Sequence, residues 1–179
     1  MLDGASILRR KIVYGWRSAH HQQQPCGIDL TLRRVLQSNA PAIIDFDNSR
    51  RKAAETTQLP FRSQDGPVTL APGAYLAEFN EQVCIPLDVM GEIFTRSSLR
   101  RAGATLTAGV VDAGYSGALG AFLDVRNPKG IFPYKDAKLA QICIRMLEEK
   151  VTGYHGIHQS SSSTVGRDGP PAVPLDVET

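Results

Sequence analysis

Between residues 68 and 147 the chain breaks into short extended segments, each closed by a turn residue. This rhythm limits the fold more than any other feature. VTLAPGAYLAEF (68–79) is interrupted at Pro72-Gly73, a natural turn between two extended pieces. QVCIP (82–86), VMGEIFTR (89–96), ATLTAGVV (104–111), ALGAFLDVR (118–126) and LAQICIRML (139–147) follow. They are rich in β-branched or aromatic residues and separated by Gly, Pro, Asn or Asp, the pattern of an all-β barrel or sandwich. No long helices alternate with them, which speaks against a doubly wound nucleotide-binding fold.

The flanks are less regular. Residues 3–13 are predicted to form a short helix capped by Asp3 or Ser6, with Ile7, Leu8, Lys11 and Ile12 at helical spacing. SAHHQQQP (18–25) is predicted to be a polar connector. GIDLTLRRV (27–35) reads as a strand, with Ile28, Leu30 and Leu32 alternating against Asp29, Thr31 and Arg33. Residues 45–66 have no strong period and form an expected long excursion, whose triplet Arg50, Arg51 and Lys52 reads as a solvated surface. The expected organisation is one β-barrel domain over 1–159, followed by a flexible Ser- and Pro-rich tail over 160–179.

With 179 residues and 42% hydrophobic content the chain can bury a sizeable core. A net charge of +2 argues against a general nucleic-acid or membrane-surface binder, so any functional positive potential must be local. No apolar window approaches the ~18 residues of a spanning helix, and the N-terminus lacks the order of a secretory signal. Cys26, Cys84 and Cys143 are odd in number and widely spaced, two of them in apolar surroundings. Those two read as buried thiols rather than a disulfide or zinc framework, and the compartment as reducing, cytosolic or nuclear.

Three segments carry candidate chemistry. TRSSLRRAG (95–103) sets Arg96, Arg100 and Arg101 around Ser97 and Ser98. This is either a charged helix start capped by serine or an anion cradle, since guanidinium forks and hydroxyls match phosphate oxygens. TAGVVDAGYSG (107–117) carries a lone carboxylate, Asp112, beside an Ala113-Gly114 turn. Asp112 either bonds its own turn or orients a water as a general base. Glycines let a flat ring approach the hairpin tip, and Tyr115 is placed to lie against a sugar. In KLAQICI (138–144), Gln141 points away from Ala140 and Ile142, so its amide needs a partner: another strand, or a ligand at a subunit boundary. The histidines lie in loops without complementary ligands, which argues against a zinc site.

In this order the segments resemble the dUTPase and dCTP deaminase superfamily. PCGIDL (25–30) is similar to its first motif and RSSLRRAG (96–103) to the second, phosphate-binding one. AGVVDAGYSG (108–117) is similar to the third and most specific motif, and KLAQICI (138–144) to the fourth. MLDGASILRRKI resembles the N-terminal helix of the deaminase branch. The resemblance implies a distorted β-barrel of the β-clip type, assembled as a homotrimer with active sites between subunits, and a deoxyribonucleoside triphosphate substrate.

On that resemblance, Asp112 activates the attacking water and Tyr115 packs on the deoxyribose, excluding a 2′-hydroxyl. Backbone at Gly109 and Val110 reads the pyrimidine. Arg96, Ser97, Ser98 and Gln141, with Arg101, hold phosphates, while Asp29 helps place Mg²⁺ through water. The implied activity is dUTP pyrophosphatase, giving dUMP and pyrophosphate; this clears dUTP from the nucleotide pool and supplies a dTTP precursor. Deaminases of the family carry a glutamate ten residues beyond the third-motif Asp, where this chain has Phe122, which cannot move a proton. Asp124 reaches that place only through a bulge. The glycine-rich arm of trimeric dUTPases is replaced by YHGIHQSSSSTVGRDG (154–169), closer to the deaminase ending. Gln159, the serines and Arg167 are candidates for base or phosphate contact in a closing lid. The alternative is a non-catalytic nucleotide-sensing or protein-binding module on the same barrel.

Overall fold

The computed structural model describes residues 1–169, so the end of the expected tail, 170–179, lies outside the described residues. In chain order the elements are α1 (Gly4–Arg9), β1 (Val13–Tyr14), α2 (Ala19–Gln22), β2 (Gln23–Gln24), β3 (Gly27–Ser38) and β4 (Thr56–Leu59). β5 (Gly73–Cys84), β6 (Val89–Thr95), α3 (Ser97–Arg101), β7 (Ala104–Thr107), β8 (Val110–Val111), β9 (Ser116–Val125) and β10 (Lys138–Met146) complete the set. The all-β expectation holds.

The strand order β7-β9-β5-β3-β10-β6-β8 forms one curled antiparallel sheet, with β1 on β5 and β2 and β4 on β3. A side chain draws β6 and β7 together: the Thr95 hydroxyl donates to Leu106 O at 2.8 Å and accepts Leu106 N–H at 2.9 Å. That hydroxyl satisfies the Leu106 carbonyl and amide in place of a ladder partner.

Leu30, Leu32, Phe79, Leu123, Ile142 and Ile144 fill the core. On β3 two of the three alternating polar residues are buried as well, Asp29 at 1% exposed and Thr31 at 3%, while Arg33 is exposed. Thr31 is covered from a bulge in β5, where pairing with β9 shifts register between Glu78 and Gln82. The bulge turns Glu81 inward to accept Thr31 N–H at 2.7 Å, Thr31 hydroxyl at 2.6 Å and the Gln22 amide at 2.7 Å. A buried carboxyl group is tolerated when donors meet its oxygens in this way.

The flanks differ from expectation in three places. Helix α1 is capped by Asp3, whose carboxylate accepts Ser6 N–H at 2.9 Å, but it ends at Arg9 rather than 13. Lys11 adopts φ 54°, and the chain then enters the sheet at Val13, paired with Val83. The 18–25 connector contains α2, capped by Ser18, because Gln22 turns its amide into the barrel toward Asp29 O and Glu81. The excursion contributes β4, paired with residues 35–38 of β3. Cys143 is buried as expected, whereas Cys84, in the other apolar setting, is exposed at the end of β5.

Candidate functional site

No tight hairpin forms at Ala113-Gly114, because β8 pairs with β6 and β9 with β5 and β7; residues 108–121 are instead the wide end of a β7–β9 hairpin, whose turn after β8 is fixed by backbone. Val111 pairs with Gly91 on β6, the Asp112 carbonyl accepts Tyr115 N–H at 3.1 Å, and Gly114 N–H reaches Ile85 O at 2.9 Å. The turn thus closes through the Asp112 main chain. Its carboxylate is exposed and makes no hydrogen bond among the described residues. Gly114 adopts φ +80°, and a Cβ there would lie 2.6 Å from the Gly153 Cα, so only glycine permits the crossing of the C-terminal segment.

A cavity of about 250 Å³ opens beside this turn, lined by Val110, Asp112, Tyr115, Leu119, Tyr154 and His158 among others. Gly109 stands at an open edge, with nothing within 4 Å of a Cβ position. Tyr115 is oriented by its hydroxyl, which donates to Ala118 O at 2.8 Å. Its ring meets that of Tyr154 edge-on, with centroids 5.6 Å apart. Burial, then the neighbouring Tyr154, pushes the Tyr115 phenol pKa above its usual value, so it stays a neutral donor.

The C-terminal arm runs along the same hairpin. Tyr154 N–H donates to Ala113 O at 2.8 Å, Ser160 N–H to Ser116 O at 2.8 Å, and Ala118 N–H to Ser161 O at 2.7 Å. The Gln159 side chain accepts Ser116 N–H at 3.0 Å and donates to Gly114 O at 2.8 Å, so both ends of its amide engage hairpin backbone. His158 lies 3.4 Å from Arg51 Nη2. Burial first, then the charges of Arg51 and Arg167, holds its imidazole pKa below the usual histidine value. Tyr154, His158 and Arg51 were not among the residues expected from sequence. The aromatic in YHGIHQ was a usable signal; nothing local marks Arg51.

The remaining candidates gather elsewhere on the barrel. Asp29 Oδ1 lies 3.2 Å from Arg96 Nε, and Asp29 Oδ2 lies 3.2 Å from Lys138 Nζ and accepts from the Gln24 amide at 3.0 Å. Ser97 and Ser98 are exposed at the start of α3, where Arg101 approaches Ser97 Oγ at 3.4 Å. Gln141 pairs in register with Asp29, flanked by fully buried Ala140 and Ile142. Ser98 and Lys138 share a second cavity of about 310 Å³ with Phe132 and Tyr134. The two cavities share no lining residue. Along β6, the Gly91–Glu92 contact with β8 and Arg96 are separated by roughly 13–17 Å at about 3.3 Å per residue.

Direct metal ligation by Asp29 does not fit this arrangement, because both its oxygens are taken and it is 1% exposed. Among the described residues no three His, Cys, Asp or Glu side chains gather as a metal site. Nor does a bulge bring Asp124 toward Asp112. Phe122 and Asp124 keep regular register with Leu76 and Ala74, and Asp124 pairs with Arg126 at 2.6 Å. Asp112 is the only carboxylate lining its cavity among the described residues. Among those residues no helix is long and apolar enough to cross a membrane.

Comparison with known proteins agrees with this fold. The family model described as dCTP deaminase-like matches residues 5–147. A relative in Methanococcoides burtonii, named a probable deoxyuridine 5′-triphosphate nucleotidohydrolase, is 39% identical over 142 residues, covering 79% of this chain and 83% of the relative. The deoxyuridine 5′-triphosphate nucleotidohydrolase of Methanocaldococcus jannaschii is 34% identical over 138 residues, 77% of this chain and 87% of the relative. Among solved structures, the 2′-deoxycytidine 5′-triphosphate deaminase of Agrobacterium tumefaciens superposes with a TM-score of 0.60 at 19% identity. That match covers 81% of this chain but about half of the deaminase (47%), and it speaks for the fold alone. From the span of the family match and the identity to these archaeal relatives, the chain belongs to the dCTP deaminase-like family.

Proposed function

We propose that this protein is a dUTP diphosphatase, hydrolysing dUTP to dUMP and pyrophosphate. The observation that carries the reading is the exposed Asp112 carboxylate, free of its own turn, on the rim of a cavity walled by Tyr115 and Val110. A carboxylate so placed takes a proton from water as the water attacks phosphorus, and the displaced pyrophosphate leaves with the bond's electrons. Tyr115, held by Ala118, presents its ring to the deoxyribose and leaves no room for a 2′-hydroxyl. Main chain at Gly109 and Val110 pairs with the edge of the pyrimidine. The names of the archaeal relatives support the same activity.

Arg96, Ser97, Ser98 and Gln141, with Arg101, bind the phosphates through forked and hydroxyl contacts. Their separation from the Asp112 cavity along β6 supports a homotrimer in which one chain's cradle completes the neighbour's cavity. Mg²⁺, when bound, would neutralise charge on the triphosphate; Asp29, whose oxygens face Arg96 and Lys138, would help place it only through water. Gln159 serves by tying the arm to the hairpin. Among the described residues the cavity has no second carboxylate to shuttle a proton to the base, which speaks against deamination.

Incubation of the purified protein with dUTP or dCTP and Mg²⁺ tests this. Pyrophosphate released from dUTP supports the diphosphatase, ammonia from dCTP would replace it with a deaminase, and neither product would leave a binding module. A solution mass near three chains tests the shared site.

A further inference from the structure

Glu78 is buried, with no exposed side-chain surface, and has no part in the chemistry above. From the barrel it receives Arg34 Nε at 2.9 Å and Nη2 at 3.0 Å, with Arg33 Nη1 at 3.2 Å. From the arm it receives Ser163 Oγ at 2.9 Å, Thr164 N–H at 2.8 Å and Thr164 Oγ1 at 3.2 Å. Arg34 Nη2 also donates to Ser163 Oγ at 2.8 Å, so the arm bonds to both members of the ion pair. Burial opposes the charge on Glu78, but bonds from Arg34, Thr164 and Ser163 outweigh it and keep the carboxyl below the usual glutamate range.

Space for the arm is built into the opposite strand. Gly120 pairs with Glu78 across β5 and β9, and a Cβ there would lie 2.8 Å from Thr164. Gly120 also lines the Asp112 cavity. Upstream, Ser161 forms a parallel bridge to Gly117, and the arm continues back through Gln159 and His158 to Tyr154 on the cavity wall. A buried ion pair needing only mutual neutralisation would not require donors from a segment more than eighty residues away.

We propose that Glu78 and Arg34 form a socket that receives Ser163 and Thr164 and holds the C-terminal arm closed against the cavity of its own chain. Glu78 is then a positioning residue, acting through Tyr154 and His158; the role rests on the reading of that cavity as a deoxynucleotide site. Two hydrogen bonds to a charged group, each worth about tenfold or more, bias the arm toward the docked state by roughly 100-fold. A weaker socket leaves the cavity wall incomplete for part of the time and lowers apparent affinity in proportion to the docked fraction.

The test uses the full chain carrying Ser163→Ala with Thr164→Val, which leaves the Glu78–Arg34 pair intact, alongside Glu78→Gln. Tryptic cleavage after Arg167 reports arm release, and calorimetric affinity for α,β-imido-dUTP reports the cavity without requiring turnover. The double variant is expected to be cut about 100-fold faster, following the open population. Its Kd is expected to rise at least about twofold, with the barrel's unfolding midpoint unchanged. Cleavage at the wild-type rate would overturn the socket, and faster cleavage with unchanged affinity would overturn the positioning role. If the wild type binds the analogue but releases no pyrophosphate from dUTP, the diphosphatase reading fails while raised cleavage and weakened binding still uphold the socket.

Discussion

The Arg96 guanidinium pairs with the Asp29 carboxylate at 3.2 Å, joining the end of β6 to the start of β3. The pair fixes the orientation of an arginine that is itself 29% exposed, and Lys138 is fixed from the other oxygen. Asp29→Asn should therefore free both cations. The expected outcome is a KM for dUTP raised about tenfold, as for loss of charge-assisted hydrogen bonds, with kcat less affected. Half-saturation by Mg²⁺ should stay nearly unchanged, because both Asp29 oxygens are already engaged by cations; a large rise in the Mg²⁺ requirement would show that Asp29 places the metal through water.

Tyr115 should set the sugar preference. Its ring is oriented by the bond to Ala118 O and the edge contact with Tyr154. Tyr115→Ala is expected to narrow the kcat/KM ratio of dUTP over UTP at least about tenfold, since a pocket that rejects one extra group does so by roughly 1–3 kcal/mol. Tyr115→Phe should keep most of the preference. An unchanged ratio in Tyr115→Ala would reject the packing role.

Acid should loosen the arm through His158. Its native pKa lies below the ordinary 6.5 because of burial and the facing Arg51 and Arg167. As pH falls below 6.5 the undocked or unfolded chain takes up a proton that the native site resists. The stabilising contribution is therefore full above that value and is lost as pH drops through the native pKa. Tryptic cleavage after Arg167, followed from pH 7.5 to 5 and corrected for the protease's own profile, should accelerate in the wild type. His158→Gln should remove that slope; an equal slope in both would exclude His158 as its source.

Much of the barrel could be read locally because its strands carry their own pattern. Ile28, Leu30 and Leu32 alternate as expected and are fully buried, and Ala140 and Ile142 flank an outward Gln141. The turn at Asp112 was legible from its glycines, but the tight hairpin they suggested was not, because β8 and β9 pair with other, distant strands. What escaped depends on distant partners. Nothing near Gln22 announces that its amide will be drawn inward by Glu81, and nothing near Thr56 announces pairing with Ser38. Thr31 is covered by Glu81 from the β5 bulge and Asp29 by Arg96 and Lys138, so simple alternation along β3 could not show that Asp29 would be enclosed and ion-paired. Arg51 beside His158 joins residues 107 positions apart, and a triplet of basic residues reads the same whether one of them docks or not.

The most direct measurement is pyrophosphate release from dUTP by Asp112→Asn under saturating substrate, with binding of α,β-imido-dUTP measured in parallel. Loss of a general base at an otherwise intact cavity should slow turnover about 10²–10⁴-fold while affinity stays near that of the wild type. Turnover at the wild-type rate would contradict the role assigned to Asp112 and, with it, the proposed hydrolysis at this cavity.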